Sequence, residues 1–373
     1  MGLSRRRFLR SAALAPAALC VPPWVAGCAP ATHASPSDAA AYVALEAPAP
    51  GAYETRNDPK ESRRSAHVSS EAESVAEVNQ FLARNLPADA DYFVHISDMH
   101  IGGGSESRYP PFGDSGLEFL VAEVSPTPRA ERAIREIRQL SPAPAFVVFT
   151  GDLSDHGQPD EIEQALSILA SLDVPVHITR GNHEWHREAF LHAVSGLACY
   201  EGARMGTMGF CYAFDGLGAR HIVLDSEEIH TEGPQFEWFR AQLAALGDTA
   251  GLVYIHRNLK RVGYPPSDYR AGFIQHNGED IIALLQQHPT AQWVIGGHVH
   301  LNAWRTAGAL NLVSLTALFY SNDDAYTTAQ GYSSLYAHLV CMRHGAVEWL
   351  ARKRLGGSTA IQRPTERDLL SLV

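Results

Sequence analysis

The sequence predicts an α/β chain with a mostly parallel core and antiparallel strands added towards its C-terminal end. Two patterns predict this. Between about residue 91 and residue 296, short apolar runs alternate with amphipathic stretches, and "AFVVFT" is apolar almost without interruption. Such runs are what strands buried on both faces look like, and helices between them imply parallel crossovers. Beyond residue 310, "NLVSL", "SSLYAHLVC" and "AVEWLARK" follow with no helical stretch between them, the mark of antiparallel pairing.

The elements follow in order. "SRRRFLR" (Ser4 to Arg10) resembles the twin-arginine export consensus, with Arg5 and Arg6 as the pair. The Ala/Leu-rich stretch after it is too short, and too broken by Pro16, Pro22 and Pro23, for a permanent membrane helix. "VAGC" resembles a lipobox, which would place a lipid anchor on Cys28; the rival is peptidase cleavage near Ala34. Residues 1–34 are therefore expected to be a twin-arginine signal peptide. Residues 35–88 read as an Ala/Pro/Ser-rich linker, closing with a short helix in which Val75, Val78, Phe81 and Leu82 share one face. Residues 89–353 carry the alternating pattern, and 354–373 read as a polar tail. Within that domain "YFVHIS", "AFVVFT", "VPVHIT", "RHIVLDS", "GLVYIH" and "QWVIGG" are strands. "RAERAIREIRQL", "EIEQALSILASL", "PQFEWFRAQLAAL" and "EDIIALLQQH" are helices by their apolar spacing.

At 373 residues, 45% of them hydrophobic, the chain can bury a sizeable core. The formal charge of −11 includes four arginines in the first 27 residues, so the remainder is more acidic still. That balance argues against nucleic acid as a standing partner. Of the five cysteines, Cys199 and Cys211 lie twelve apart in what would be an oxidising compartment; whether they pair is a matter of distance. No C-x-x-C is present, so thiolate metal sites are not expected.

The strands stop at chemically similar places. "YFVHIS" ends at Asp98-Met99-His100 and "AFVVFT" at Gly151-Asp152. "VPVHIT" ends at Gly181-Asn182-His183, "GLVYIH" on His256, and "QWVIGG" at His298-Val299-His300. In open α/β sheets ligands bind at the carboxyl ends of the strands. Asp98, His100, Asp152, Asn182, His256, His298 and His300, seven O and N donors without cysteine, suit manganese, iron, zinc or cobalt, and they are too many for one ion. A shared Asp152 would give each of two ions four protein groups. Two ions about 3.5–4 Å apart can clamp the entering and leaving oxygens of a phosphoryl displacement.

D-x-H, G-D, G-N-H-E, a strand-end His and G-H-x-H, in this order from Asp98 to His300, resemble the calcineurin-like metallophosphoesterases. The resemblance implies a four-layer α/β/β/α sandwich of two mixed β-sheets flanked by helices. It implies one divalent or trivalent ion on Asp98, His100, Asp152 and His300, and a second on Asp152, Asn182, His256 and His298. It implies that a metal-bridging hydroxide attacks phosphorus in line, while Asn182 and His183 contact the phosphate and His183 protonates the leaving alkoxide. Glu184 would support that loop. Gly151, Gly181 and Gly297 flank the ligands as tight turns would require. One departure concerns the fourth motif. Many relatives have two histidines followed by proline; this chain has His256-Arg257-Asn258, so Arg257 becomes a candidate for binding a phosphate oxygen.

The remaining candidates have plainer readings. His95, His177 and His221 sit inside strands and read as packing or hydrogen-bonded histidines. His156, Asp155 and Asp225 read as solvated loop, with Asp225, at a strand end, also a candidate to support a site, and Trp185 and His186 read as pocket lining or a helix cap. The Gly/Pro-rich stretch from Gly102 to Thr127 reads as a loop over the pocket. "GDLSD" lacks the tyrosine of the purple acid phosphatases, and "TGDLSDHG" with "GGHVH" most resembles the cyclic-nucleotide phosphodiesterase-like branch. A phosphodiester substrate is the expectation; a phosphomonoester at the same site, or a non-catalytic surface protein stabilised by metals, are the alternatives. Export would place the protein in the periplasm or on the outer face of the cell membrane, with the twin-arginine machinery as a transient partner. The sequence leaves the oligomeric state open.

Overall fold

The computed structural model describes residues 70–108, 125–195, 197, 208–261, 274–319, 335–355 and 359–362. The expected signal peptide and lipobox with Cys28, most of the expected linker, Cys199, most of the loop after the first motif and the last residues of the expected tail lie outside that set.

Helix α1 (Glu71–Asn85) starts at a capping box. The Ser70 hydroxyl accepts from Glu73 N–H, and the Glu73 carboxylate accepts from Ser70 N–H. Strand β1 (Asp91–Ile96) follows, then α2 (Pro126–Arg138), β2 (Val147–Phe149), α3 (Pro159–Leu169), β3 (Val176–Ile178) and α4 (Arg187–Val194). The second half contains β4 (Tyr212–Gly216), β5 (Ala219–Val223), α5 (Pro234–Ala244), β6 (Ala250–Tyr254), α6 (Gly278–Leu285) and β7 (Ala291–Gly296). It closes with β8 (Ala303–Ala307), β9 (Leu310–Ser314), β10 (Leu335–Arg343), β11 (Ala346–Leu355) and β12 (Thr359–Gln362). Proline opens α2, α3 and α5, where its missing N–H costs nothing.

The strands form two six-stranded mixed sheets, ordered β12-β11-β10-β1-β2-β3 and β4-β5-β6-β7-β9-β8. Within the first, β1, β2 and β3 are parallel. In the second, β5, β6, β7 and β9 are parallel, with antiparallel β4 and β8 on the edges. The pleat sorts the second sheet's side chains between two cores. Leu252 and Tyr254 of β6, with Trp293 and Ile295 of β7, join the first sheet and helices α1–α4 in one apolar cluster. Val253, Ile255 and Val294 face the other way, onto Phe236, Phe239 and Leu243 of α5 and Ile281, Ile282 and Leu285 of α6. Helices, sheet, sheet and helices are therefore stacked as an α/β/β/α sandwich. Among the described helices, none is long and apolar enough to cross a membrane.

The elements that periodicity missed are short or sit at edges: α4, β4, β8 and β12. β12 pairs with β11 inside the stretch read as a tail. His95, His177 and His221 are packed as expected. His177 stacks on Phe214 at 3.4 Å between ring centroids, and His221 bonds the Tyr254 hydroxyl and the Gly216 carbonyl. Burial pushes His177 and His221 down to about 4, and His95 to about 3. His156 departs from the expectation of a solvated loop. It is buried, and its Nδ1 lies 3.2 Å from the Glu161 carboxylate.

Candidate dinuclear metal centre

The carboxyl ends of β1, β2, β3, β6 and β7 meet. The loops after β1 and β2 are joined by their backbones: Asp98 N–H donates to Gly151 O, and Met99 and His100 N–H both donate to Asp152 O. The loop after β7 is tied to the first by His298 N–H donating to the Asp98 carboxylate at 3.1 Å. The loop after β3 is tied to the second by His183 N–H donating to Asp152 Oδ1 at 2.9 Å.

These loops bring Asp98, His100 and His300 into one cluster of donor atoms, and Asp152, His256 and His298 into another. In the first, His300 Nε2 is 3.1 Å from His100 Nε2 and 3.3 Å from Asp98 Oδ1. In the second, His256 Nε2 is 3.1 Å from Asp152 Oδ2 and 3.0 Å from Asn182 Oδ1. Asp152 Oδ2 also lies 3.6 Å from His100 Nε2, so one carboxylate faces both clusters.

The backbone is unusual at the same residues. Asp98, His100, Asp152, His298 and His300 all have positive φ, between 49° and 72°. Each such non-glycine residue costs on the order of 1–3 kcal/mol and persists only where its surroundings over-determine it. Gly181 and Gly297 let the loops close in. A Cβ on Gly181 would run into Asp152 Oδ1, and one on Gly297 into Ser97 Oγ and Asp98 Oδ2.

The donor set fits metal cations on its protonation chemistry. His256 Nδ1–H donates to Thr150 O at 2.6 Å, while its Nε2 faces only the two oxygens just named. An imidazole in that position must carry a proton or a cation on Nε2. Burial opposes charge there, but Asp152 and Asp98 outweigh it and raise His256 to about 9. His100 behaves alike. Burial is overcome by Asp155, Asp152 and Asp98, and it too rises to about 9. Burial alone would raise the Asp98 and Asp152 carboxyls; His300 and His256 hold the first below the usual range, and His256, His183 and His100 hold the second well below it. His298, beside His256 and Arg257, and His300 are pushed down, chiefly by burial. A pocket that draws protons onto buried imidazoles this strongly is one in which metal ions can replace those protons.

Three residues support the site: Glu184, as expected, Asp155, against expectation, and Glu227, which the sequence reading does not single out. The Asp155 carboxylate accepts from His100 Nδ1–H at 2.8 Å, and its carbonyl accepts from His183 Nδ1–H at 2.6 Å. Against the expectation of a solvated loop, it orients both imidazoles, leaving each Nε2 for other partners. Glu184 is fully buried and accepts from the backbone N–H of Asp152, Ser154 and Gly181 and from the Ser154 hydroxyl. Four donors converge on it, which only an ionised carboxylate meets in full, although burial and Asp152 push its pKa upward. Glu227 clamps Arg257 through contacts of 2.6 and 3.4 Å, so that Arg257 Nη1 stands 3.1 Å from His298 Nε2. Asp225 bonds the backbone of Phe210 and Glu227 and the Arg180 guanidinium rather than any of the clustered imidazoles.

Residues 92–302 match the model of the calcineurin-like phosphoesterases, and the chain belongs to that family. It is a metallophosphoesterase, a hydrolase acting on phosphoric ester bonds. It is 28% identical over 211 residues to the glycerophosphodiester phosphodiesterase GpdQ of Enterobacter lignolyticus, covering 55% of this chain and 69% of the relative. To the 3',5'-cyclic adenosine monophosphate phosphodiesterase CpdA of Pseudomonas aeruginosa it is 24% identical over 267 residues, 68% of this chain and 89% of the relative. Its fold is similar to that of a dimetal phosphatase from Danio rerio, with a TM-score of 0.54 at 16% identity, covering 73% of this chain and 98% of the other.

Proposed function

We propose that the chain is an exported phosphodiesterase working at a dinuclear centre. The position of Asp152 carries this reading, with one carboxylate oxygen 3.6 Å from His100 Nε2 and 3.1 Å from His256 Nε2. Asp98, His100, Asp152 and His300 would hold one ion, and Asp152, Asn182, His256 and His298 the other. Bound there, manganese, iron, zinc or cobalt ions supply Lewis acidity and bring water to a nucleophilic state near neutral pH. His183 is the proton donor to the leaving oxygen. Its Nδ1–H is committed to the Asp155 carbonyl, so Nε2 is the atom that serves the substrate. Asn182 and Arg257 bind phosphate oxygens, the latter held in place by Glu227.

A phosphodiester substrate is supported by relatives that act on glycerophosphodiesters and on cyclic nucleotides. Export to the periplasm or the outer face of the membrane is supported by "SRRRFLR", and a lipid anchor on Cys28 by "VAGC". The full chain is loaded with manganese and offered bis(p-nitrophenyl) phosphate and p-nitrophenyl phosphate. Preference for the diester, lost in His183→Ala and Asp152→Ala, is the expected result. Preference for the monoester makes the protein a phosphatase with the same site. Two bound metals without turnover of either ester refutes the catalytic reading.

A further inference from the structure

Trp185 is the one large hydrophobic side chain that stands exposed among the described residues, with 55% of its surface open. An exposed indole on a loop is unremarkable by itself. Its position is not. It follows His183 by two residues, and the two rings lie 6.3 Å apart, inclined at 62°. The ring is also fixed from beneath. Gly157 has a φ of +63°, and a Cβ built there would fall 2.6 Å from Trp185 Cδ1 and 3.1 Å from Nε1. The indole therefore rests on a glycine that leaves room for it, with its outer surface facing solvent. The backbone at its base is tied on both sides: Arg180 Nε donates to Glu184 O, and Arg187 N–H to Trp185 O.

With His183 serving the leaving oxygen, a flat apolar ring 6.3 Å from it adjoins the group beyond that oxygen. We propose that Trp185 is a specificity residue which stacks on a planar aromatic ring carried by the leaving alcohol, of which the base of a nucleoside is the biological form. This rests on the phosphodiesterase reading and narrows it. A base offers a π-face that an indole can cover, whereas a small polyol offers none. His183 and Trp185 then divide the work, one serving the scissile oxygen and the other the group beyond it.

The test separates binding from turnover. Adenosine 5'-monophosphate and ribose 5-phosphate share the phosphate and the sugar and differ in the base. Their affinities for the manganese-loaded full chain are measured by calorimetry, for wild type, Trp185→Ala and Trp185→Phe. The expected result is that wild type binds the nucleotide about ten-fold more tightly, the effect of one base–aromatic stack. Trp185→Ala should bind both alike, and Trp185→Phe should keep most of the difference. Wild type binding both equally, or neither, overturns the proposal, as does a difference that survives Trp185→Ala. Hydrolysis of bis(p-nitrophenyl) phosphate, measured alongside, judges the phosphodiesterase reading separately: a folded protein that discriminates the base without hydrolysing any ester keeps the stacking site and loses the enzymatic assignment.

Discussion

Glu184 joins the G-D and G-N-H loops without touching a candidate metal ligand's donor atom, so its removal isolates the scaffold from the chemistry. Its Oε2 accepts from Asp152 and Gly181 N–H, at 3.1 and 2.8 Å, and its Oε1 from Ser154 N–H and Oγ, at 3.1 and 3.2 Å. Glutamine in its place keeps one oxygen. The better orientation retains the Asp152 and Gly181 bonds and turns the amide NH2 towards Ser154, whose hydroxyl can rotate to accept. One buried N–H is then orphaned, at a cost of about 1–3 kcal/mol. Alanine orphans all three backbone donors, about 3–9 kcal/mol, which approaches the whole stability of a domain, roughly 5–15 kcal/mol. Thermal unfolding of the metal-free protein at neutral pH, followed by circular dichroism, should place Glu184→Gln about 5 °C below wild type. Glu184→Ala should be largely unfolded or recovered only with metal bound. A Glu184→Gln melt within about 1 °C of wild type would refute the reasoning, because the carboxylate would then not be bearing those donors.

Further consequences concern acid stability, the buried ion pair and the orientation of His100. His177 sits at about 4 in the fold, lowered by burial and then by His221, against about 6.5 in an unfolded chain. Below pH 6.5 the unfolded chain takes up a proton that the fold refuses, so stability falls towards pH 4 by about 1.4 kcal/mol per unit for this group. His177→Phe keeps the stack on Phe214 and should lose about 2 kcal/mol less than wild type between pH 8 and pH 5 in urea titrations; parallel losses would count against it. Lys353 and Glu136 are both buried and 2.7 Å apart, with Ser74 and Arg132 also on the carboxylate. Lys353→Met leaves Glu136 with Arg132 and Ser74 and should cost less than the roughly 3–5 kcal/mol of a buried charge left without a cation, a range that adding Arg132→Met should reach; equal losses in the single and double variants would count against this sharing. Asp155→Ala frees His100 and should weaken manganese binding roughly 10–100-fold, with Asp155→Asn in between; calorimetry showing unchanged affinity would remove Asp155 from the site.

The clustered side chains were legible because each follows an apolar run, and β1, β2, β3, β6 and β7 all end at the same edge. That is a property of parallel strands, and it turns positions far apart in the sequence into neighbours. Asp155 was not legible. It sits in no strand, and its carboxylate meets His100 only because Ile101 and Ser154 bridge their two loops. Glu184 stood in a recognisable motif, yet its four donors come from backbone conformations that residue type does not announce. β4 and β8 are short edge strands, where the apolar signal is weak, and His156 is buried by a helix-start contact with Glu161 that spacing alone does not show.

Each donor cluster draws on both sheets. Asp98 and His100 follow β1 and meet His300 from beyond β7; Asp152 follows β2 and meets His256 and His298 from the opposite sheet. Neither sheet holds a complete set of donors, so occupancy by an ion measures the alignment of the whole sandwich. Metal affinity becomes a gauge of tertiary assembly. A substitution far out in the inter-sheet core, by sliding one sheet a fraction of an ångström against the other, would register in a metal titration before it registered in secondary structure.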